Sequence, residues 1–164
     1  RCTVVPIAVP PRRAAVESAV EREPGTWMFL GRVAANKRQA NLVRLFAKVR
    51  ARRPELARKL HIVGGIHESD PYAKALRAAI AETGLQEHVV VTGKVSDQEV
   101  ERHLARASAY VSMSEHEGFG VPLVEAAHRG LPVFALDNTA VGETLGHGPG
   151  LAADEDALAG ILES

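Results

Sequence analysis

Two carboxylates, Glu117 and Glu125, stand with seven residues between them on either side of Gly118-Phe119-Gly120-Val121-Pro122. An apolar run, Ala109 to Met113, precedes them, and another, Leu131 to Ala135, follows. That order reads as strand, turn, helix, stop, strand. Pro122 suits a first helical turn, where its missing N–H is not needed. Gly130 suits a left-handed stop, with Pro132 close behind. The carboxylates therefore flank a helix N-terminus, whose unpaired N–H groups attract anions. A carboxylate repels phosphate but accepts hydrogen bonds from hydroxyl groups. Complementing the helix dipole is the competing role, about 0.3–1 kcal/mol for each residue. It competes well for Glu125 but leaves the Gly-Phe-Gly turn beside Glu117 unexplained.

A second turn carries the opposite charge. Gly31-Arg32-Val33-Ala34-Ala35-Asn36-Lys37 puts Arg32 at a strand end and Lys37 at a helix start. An arginine fork with a lysine point charge suits a pyrophosphate, helped by nearby backbone N–H groups. For either residue alone, a solvated surface charge is the plainer reading. Taken together, the two turns suit a ligand with both phosphate and hydroxyls, such as a nucleotide sugar.

The elements that must position these turns follow one scheme. Short apolar runs at Trp27–Leu30, Leu60–Val63, Val89–Thr92, Ala109–Met113 and Val133–Leu136 read as strands buried on both faces. Amphipathic stretches lie between them. Asn36 is expected to cap a helix bearing Leu42, Val43, Leu45, Phe46 and Val49 inward. Ser69 or Asp70 should cap the next, which carries Pro71 and ends at Gly84. Ser96 with Glu99 has capping-box spacing for a third. A helix is expected over Arg12–Arg22, after a Pro6-interrupted edge segment at Cys2–Val9, and a last one over Glu155–Leu162. Alternating strands and helices predict an α/β, Rossmann-like, three-layer domain: a parallel sheet covered by helices on both faces. Such sheets gather ligands at the carboxyl ends of their strands. Four turns leave there: Gly31–Lys37, Gly64–Asp70, Gly93–Ser96 and Ser114–Gly120.

Bulk properties exclude several classes. The 164 residues, 46% hydrophobic, suffice for one core without staples, and Cys2 alone can form neither an internal disulfide nor a thiolate cluster. The 20 basic and 20 acidic side chains cancel, which argues against nucleic acid as partner. The cations at Arg38, Arg44, Lys48, Arg50, Arg52 and Arg53 read as a solvent or partner face. No apolar run has transmembrane length and no signal peptide is visible, so a cytoplasmic setting is expected. The chain begins without methionine, and a fragment of a longer protein is the expected reading.

Other candidates are weaker. Gly64-Gly65 lacks the rest of a dinucleotide fingerprint. The histidines show no metal-ligand spacing: His61 and His88 read as strand-edge residues, His103 and His128 as surface helix positions, and His116 as a loop residue beside Glu117. Ser112 and Ser114 lack a nucleophile-elbow context.

In family order, the motifs are Gly31-Arg32 with Lys37, Val63-Gly64, Thr92-Gly93-Lys94-Val95-Ser96 and Ser114-x-x-Glu117-Gly118-Phe119-Gly120-Val121-Pro122-Leu123-Val124-Glu125-Ala126. They resemble the family 4 retaining glycosyltransferases of GT-B fold. Asn36-Lys37-Arg38-Gln39, Ser114-Glu115-His116-Glu117 and Glu143-Thr144-Leu145-Gly146 are most similar to bacterial members that build surface polysaccharides. The sequence departs at Ala35 and Gly142, where prolines are common, at Gly65-Ile66, and at Asn138-Thr139-Ala140-Val141, which lacks a glycine pair.

The resemblance implies that residues 1–164 form the donor-binding half of a two-domain enzyme whose acceptor-binding N-terminal domain is absent here. It implies that Arg32 and Lys37 hold the donor diphosphate and stabilise the leaving charge. Glu117 with the amides of Gly118, Phe119, Gly120 and Val121 would address sugar and phosphate. Glu125 would bind the ribose hydroxyls, and the main chain at Lys94 and Val95 would face the base. No metal or other cofactor is implied, because the two cations supply the charge stabilisation. The expected reaction is hexosyl transfer from a GDP- or UDP-linked donor to a glycan or lipid-linked glycan hydroxyl, with retention. Membrane-surface contact is open to the full-length enzyme, and the domain alone is expected to be inactive. A GT-B nucleotide-sugar epimerase and a non-catalytic nucleotide-binding module are the alternatives.

Overall fold

The computed structural model describes residues 21–137, 140–146 and 148–164. The expected edge segment over residues 2–9 and nearly all of the helix expected over 12–22 lie outside them.

Strands β1 (Thr26–Leu30), β2 (Lys59–Val63), β3 (Val89–Gly93), β4 (Ala109–Ser112) and β5 (Val133–Leu136) form where the apolar runs predict them. A two-residue β6, Leu151–Ala152, completes a six-stranded sheet in the order β3-β2-β1-β4-β5-β6. Every adjacent pair of strands is parallel. The helices are α1 (Gln39–Arg52), α2 (Pro71–Glu82), α3 (Asp97–Arg106), α4 (Val121–His128), α5 (Ala140–Leu145) and α6 (Glu155–Glu163). Strand periodicity splits the core in two. Trp27, Phe29, Leu60 and Ile62 face one layer with Leu42, Phe46, Leu76 and Leu158, from α1, α2 and α6. Met28, Val63, Tyr110 and Ala135 face the other with Val100, Leu104, Leu123 and Ala126, from α3 and α4. The three-layer expectation holds.

Most local expectations hold too, with three corrections. Asp70 accepts from the Tyr72 N–H at 2.8 Å, and Ser96 and Glu99 close a reciprocal capping box. Gly130, at φ 64, ends α4, with N–H bonds from Gly130 to Ala127 and from Leu131 to Ala126, the Schellman pattern. Asn36, however, caps no α-helix. It lies in a 3₁₀ turn, Ala35–Lys37, and α1 starts after Arg38, because the chain must first turn through a left-handed residue there. His61 is not a strand-edge residue, since β2 lies between β3 and β1. Nor is His103 a free surface position: its ring packs on His61, with centroids 4.9 Å apart and Nδ1 atoms 2.8 Å apart.

The strand order reverses direction between β1 and β4. In open parallel sheets such a switch point opens a crevice at the carboxyl ends, because the connections on either side diverge. The turns leaving β1 and β4 are the two with opposite charge. The topology therefore brings them together.

Candidate active site

The first turn is built on backbone contacts. Gly31 N–H donates to Val63 O and Val33 N–H to Gly65 O, both at 2.9 Å, which lays the turn against the one leaving β2. Gly64, at φ 141, has no room for a side chain: a Cβ there would lie 2.3 Å from Gly31 O. Within the turn only Val33 is buried, while Arg32 is exposed and Lys37 half-buried. Arg38, left-handed at φ 50, is the one non-glycine residue with positive φ among the described residues. That conformation costs about 1–2 kcal/mol. Its guanidinium is held by Glu155 at 2.5 Å and lies 3.6 Å from Glu115, which offsets the strain.

The fourth turn rests on β4. Tyr110 is buried in mid-sheet, accepting from Leu30 N–H at 3.3 Å and donating to Leu30 O at 3.2 Å, so it fixes the exit of β1 to β4. Burial pushes its hydroxyl pKa far up, and the charges of Glu117 and Glu125 push it further. Ser112 donates to Ser114 Oγ at 3.1 Å beneath the turn, a structural role for both. Gly120, left-handed at φ 60, is the N-cap of α4, and no side chain caps that helix. The far end of α4 is fixed by Arg129, which pairs with Glu101 at 2.7 Å and donates to Glu125 O at 2.8 Å.

The two turns meet. Lys37 Nζ lies 2.7 Å from Glu117 Oε1, and Glu115 N–H donates to Asn36 O at 2.9 Å. Glu117 and Glu125 are both buried, at 9% and 5% exposure, which surface dipole partners would not be. Phe119 and Val121 remain exposed beside them. Lys94, exposed, and Val95, half-buried, follow β3, two strands away from β1 along the same edge. The structure thus joins Lys37 to Glu117 and stacks Glu117, Gly118–Val121 and Glu125 around one helix start. Arg32 sits at the same edge without a direct contact to them, and Lys94 and Val95 sit apart.

Residues missed from the sequence are Tyr110, Arg38 and Gln39. Tyr110 looked like one more apolar strand residue. Arg38 looked like a surface cation, and the left-handed position it fills carries no mark in its residue type. Gln39 is fully buried, an unusual fate for an amide beside charged residues. The outer cations of α1 also differ from expectation in being paired. Arg44 reaches Glu82, Lys48 reaches Asp156 and Arg52 reaches Glu163, so that face is tied to α2 and α6. Among the described residues no group of three or more His, Cys, Asp and Glu is arranged to hold a metal ion. No described helix is long and apolar enough to cross a membrane.

The sheet is parallel, and at its switch point one cation, Lys37, meets one carboxylate, Glu117. Residues 13–162 match the family described as glycosyl transferases group 1, and the chain belongs to that family. It is 30% identical to the GDP-mannose:cellobiosyl-diphosphopolyprenol alpha-mannosyltransferase of Xanthomonas campestris, over 96% of this chain and 43% of the relative. It is 32% identical to the GDP-mannose-dependent alpha-(1-6)-phosphatidylinositol monomannoside mannosyltransferase of Mycobacterium tuberculosis, over 85% and 39%. The crystal structure of Anabaena Alr3699/HepE in complex with UDP and glucose superposes with a TM-score of 0.71 at 25% identity, over 85% of this chain and 38% of that one. The chain thus spans less than half the length of these relatives.

Proposed function

We propose that this chain is the donor-binding half of a two-domain retaining hexosyltransferase and that the crevice between β1 and β4 holds a nucleoside-diphosphate sugar. The observation that carries the reading is the Lys37–Glu117 pair, 2.7 Å apart, which puts a phosphate-type cation and a hydroxyl-type acceptor at one point. Arg32 and Lys37 bind the diphosphate and stabilise the charge that builds on it as the glycosidic bond breaks. The uncapped amides at Gly118–Val121 add to that field. Glu117 addresses the sugar, Glu125 the ribose hydroxyls, and the main chain at Lys94 and Val95 the base. In the full-length protein the acceptor hydroxyl attacks from the face the phosphate leaves, and the departing phosphate takes its proton, so configuration is retained. The acceptor, a glycan or lipid-linked glycan, is presented by the other domain.

Two relatives named for GDP-mannose make that sugar the first donor to try, with UDP-sugars as the second arm. The test is a thermal-shift and NMR titration of this chain with GDP, UDP, GDP-mannose and UDP-hexoses. Stabilisation by one diphosphate series, with amide shifts at Gly31–Lys37 and Gly118–Val121, is expected. Shifts elsewhere, or binding of duplex nucleic acid instead, would defeat the reading.

A further inference from the structure

The turn from Gly31 to Arg38 carries both proposed diphosphate cations, yet anchors itself in the core through Val33 alone. Its shape therefore depends on hydrogen bonds. Three of them are main-chain links to neighbouring turns, through Gly31, Val33 and Asn36. Two more come from a single side chain. Gln39 Nε2 donates to Arg32 O at 2.9 Å, and Gln39 Oε1 accepts from Ala34 N–H at 3.4 Å.

The fit is chemical as well as spatial. Arg32 O requires a donor and Ala34 N–H requires an acceptor, two residues apart. A primary amide offers one of each in a single plane. A carboxylate offers only acceptors and a thioether neither in useful strength. Gln39 is 0% exposed, and losing its amide leaves Arg32 O and Ala34 N–H without their side-chain partner. Its grip passes on down the turn: Lys37 N–H donates to Ala34 O at 2.9 Å, and Lys37 Nζ reaches Glu117. Arg32 and Lys37 are thus set from one point between them.

We infer that Gln39 is a positioning residue for diphosphate binding: it fixes the Arg32–Ala34 backbone so that Arg32 and Lys37 converge, without itself touching the ligand. The inference rests on the donor-site reading of those two cations. It differs from a purely structural role because it predicts loss at one end of the ligand only.

The test compares Gln39→Met, similar in length but without the amide, and Gln39→Glu, which keeps the shape and the acceptor but cannot donate to Arg32 O. Each is titrated with the diphosphate that the wild type binds, GDP or UDP, and with the matching nucleoside. Tenfold or greater loss for the diphosphate, with nucleoside affinity within twofold, is expected for both variants. Equal losses, or none, would overturn the inference. Amide hydrogen exchange supplies a readout independent of any ligand. Exchange at Ala34 and Lys37 should quicken at least tenfold in the variants, with Leu42 to Val49 unchanged, and unchanged exchange at Ala34 would also overturn it. If the wild type binds no nucleotide, the donor-site reading fails, and the exchange data still judge what Gln39 does to the turn. Should Gln39→Met not fold, Gln39→Glu carries both measurements.

Discussion

Five of the helices, all but α5, fall into two groups by the residue that precedes them. α2, α3 and α6 follow extended Asp70, Ser96 and Asp154, whose side chains accept from Tyr72, Glu99 and Ala157 N–H. α1 and α4 follow left-handed Arg38 and Gly120, neither of which caps its helix with a side chain, although the Tyr72 hydroxyl accepts from Ala40 N–H in the first turn of α1 at 3.1 Å. A cap from the preceding residue is worth about 0.5–2 kcal/mol, and α1 and α4 forgo it. They are the two that leave β1 and β4, the strands beside the switch point. A side-chain cap occupies the place where an anion would bind. At α4, leaving it out keeps first-turn amides and the helix dipole available to a ligand. Three starts are capped by the residue before them, α1 takes Tyr72 as partner at a buried first turn, and the start of α4 lies beside the crevice.

Perturbing each group separately can break that division. The largest effect is expected from Glu117→Gln in the full-length enzyme. Transfer should fall about 100-fold or more, as for loss of one group aimed at the reacting centre, with nucleotide affinity nearly intact. Collapse of nucleotide affinity instead would reassign Glu117 to the nucleotide end. Next comes Arg32→Ala or Lys37→Ala. Either removes charge-assisted hydrogen bonds worth about 1.5–3 kcal/mol, so calorimetry should show a ten- to hundredfold loss for the diphosphate and little for the nucleoside. Ser96→Ala and Asp70→Ala test the other group. Each should cost about 1 kcal/mol, a drop of about 2–4 °C in Tm for a chain this size, while nucleotide affinity stays put. Loss of binding in either cap variant would merge the two groups.

The smallest expected effect lies away from the crevice, where α3 covers β2. Burial lowers the pKa of His61, and the charge of His103 lowers it further; Glu23 opposes this, while Lys59 and Arg106 add to it. Burial also lowers that of His103, opposed by Glu99 and helped by Arg106. A histidine depressed on folding is protonated more readily in the unfolded chain. Its contribution is therefore complete above the ordinary histidine range near pH 6.5 and is lost as pH falls through the folded values. Tm should drop modestly on acidification from pH 7 toward 5, and His103→Gln should flatten that slope. An unchanged slope would mean that other groups set the acid limit.

Much of this was legible in the sequence because local chemistry and tertiary need agree. Pro71 after Asp70, Glu99 after Ser96, and Gly130 ahead of Pro132 each announce a boundary on which the fold also insists. The charged residues of the two turns could be read as partners because parallel sheets send such turns to one edge. What stayed hidden depends on contacts far apart in the chain. Asn36 is a good cap by type, but it lies in a 3₁₀ turn and α1 starts only after left-handed Arg38. Tyr110 gains its role only when another strand arrives beside it; Gln39 is the local exception, bonding back seven and five residues to Arg32 and Ala34 at a spacing that marks no motif. His61 and His103, 42 residues apart, carry no shared motif that could foretell their contact. The short β6 has too few residues to show a period, so only its pairing with β5 defines it.

Gly64 has a consequence for how this scaffold can change. It presses on Gly31 O, so the β1 and β2 exits are one mechanical piece, and a longer or bulkier second turn would displace the cationic turn with it. Gly118 has nothing within 4 Å of a side chain's first carbon, whereas Gly93, equally open, is left-handed at φ 71 and strained by any side chain. Libraries aimed at the crevice belong around Gly118, and Gly93 and the Gly31–Gly64 seam are the parts to leave untouched.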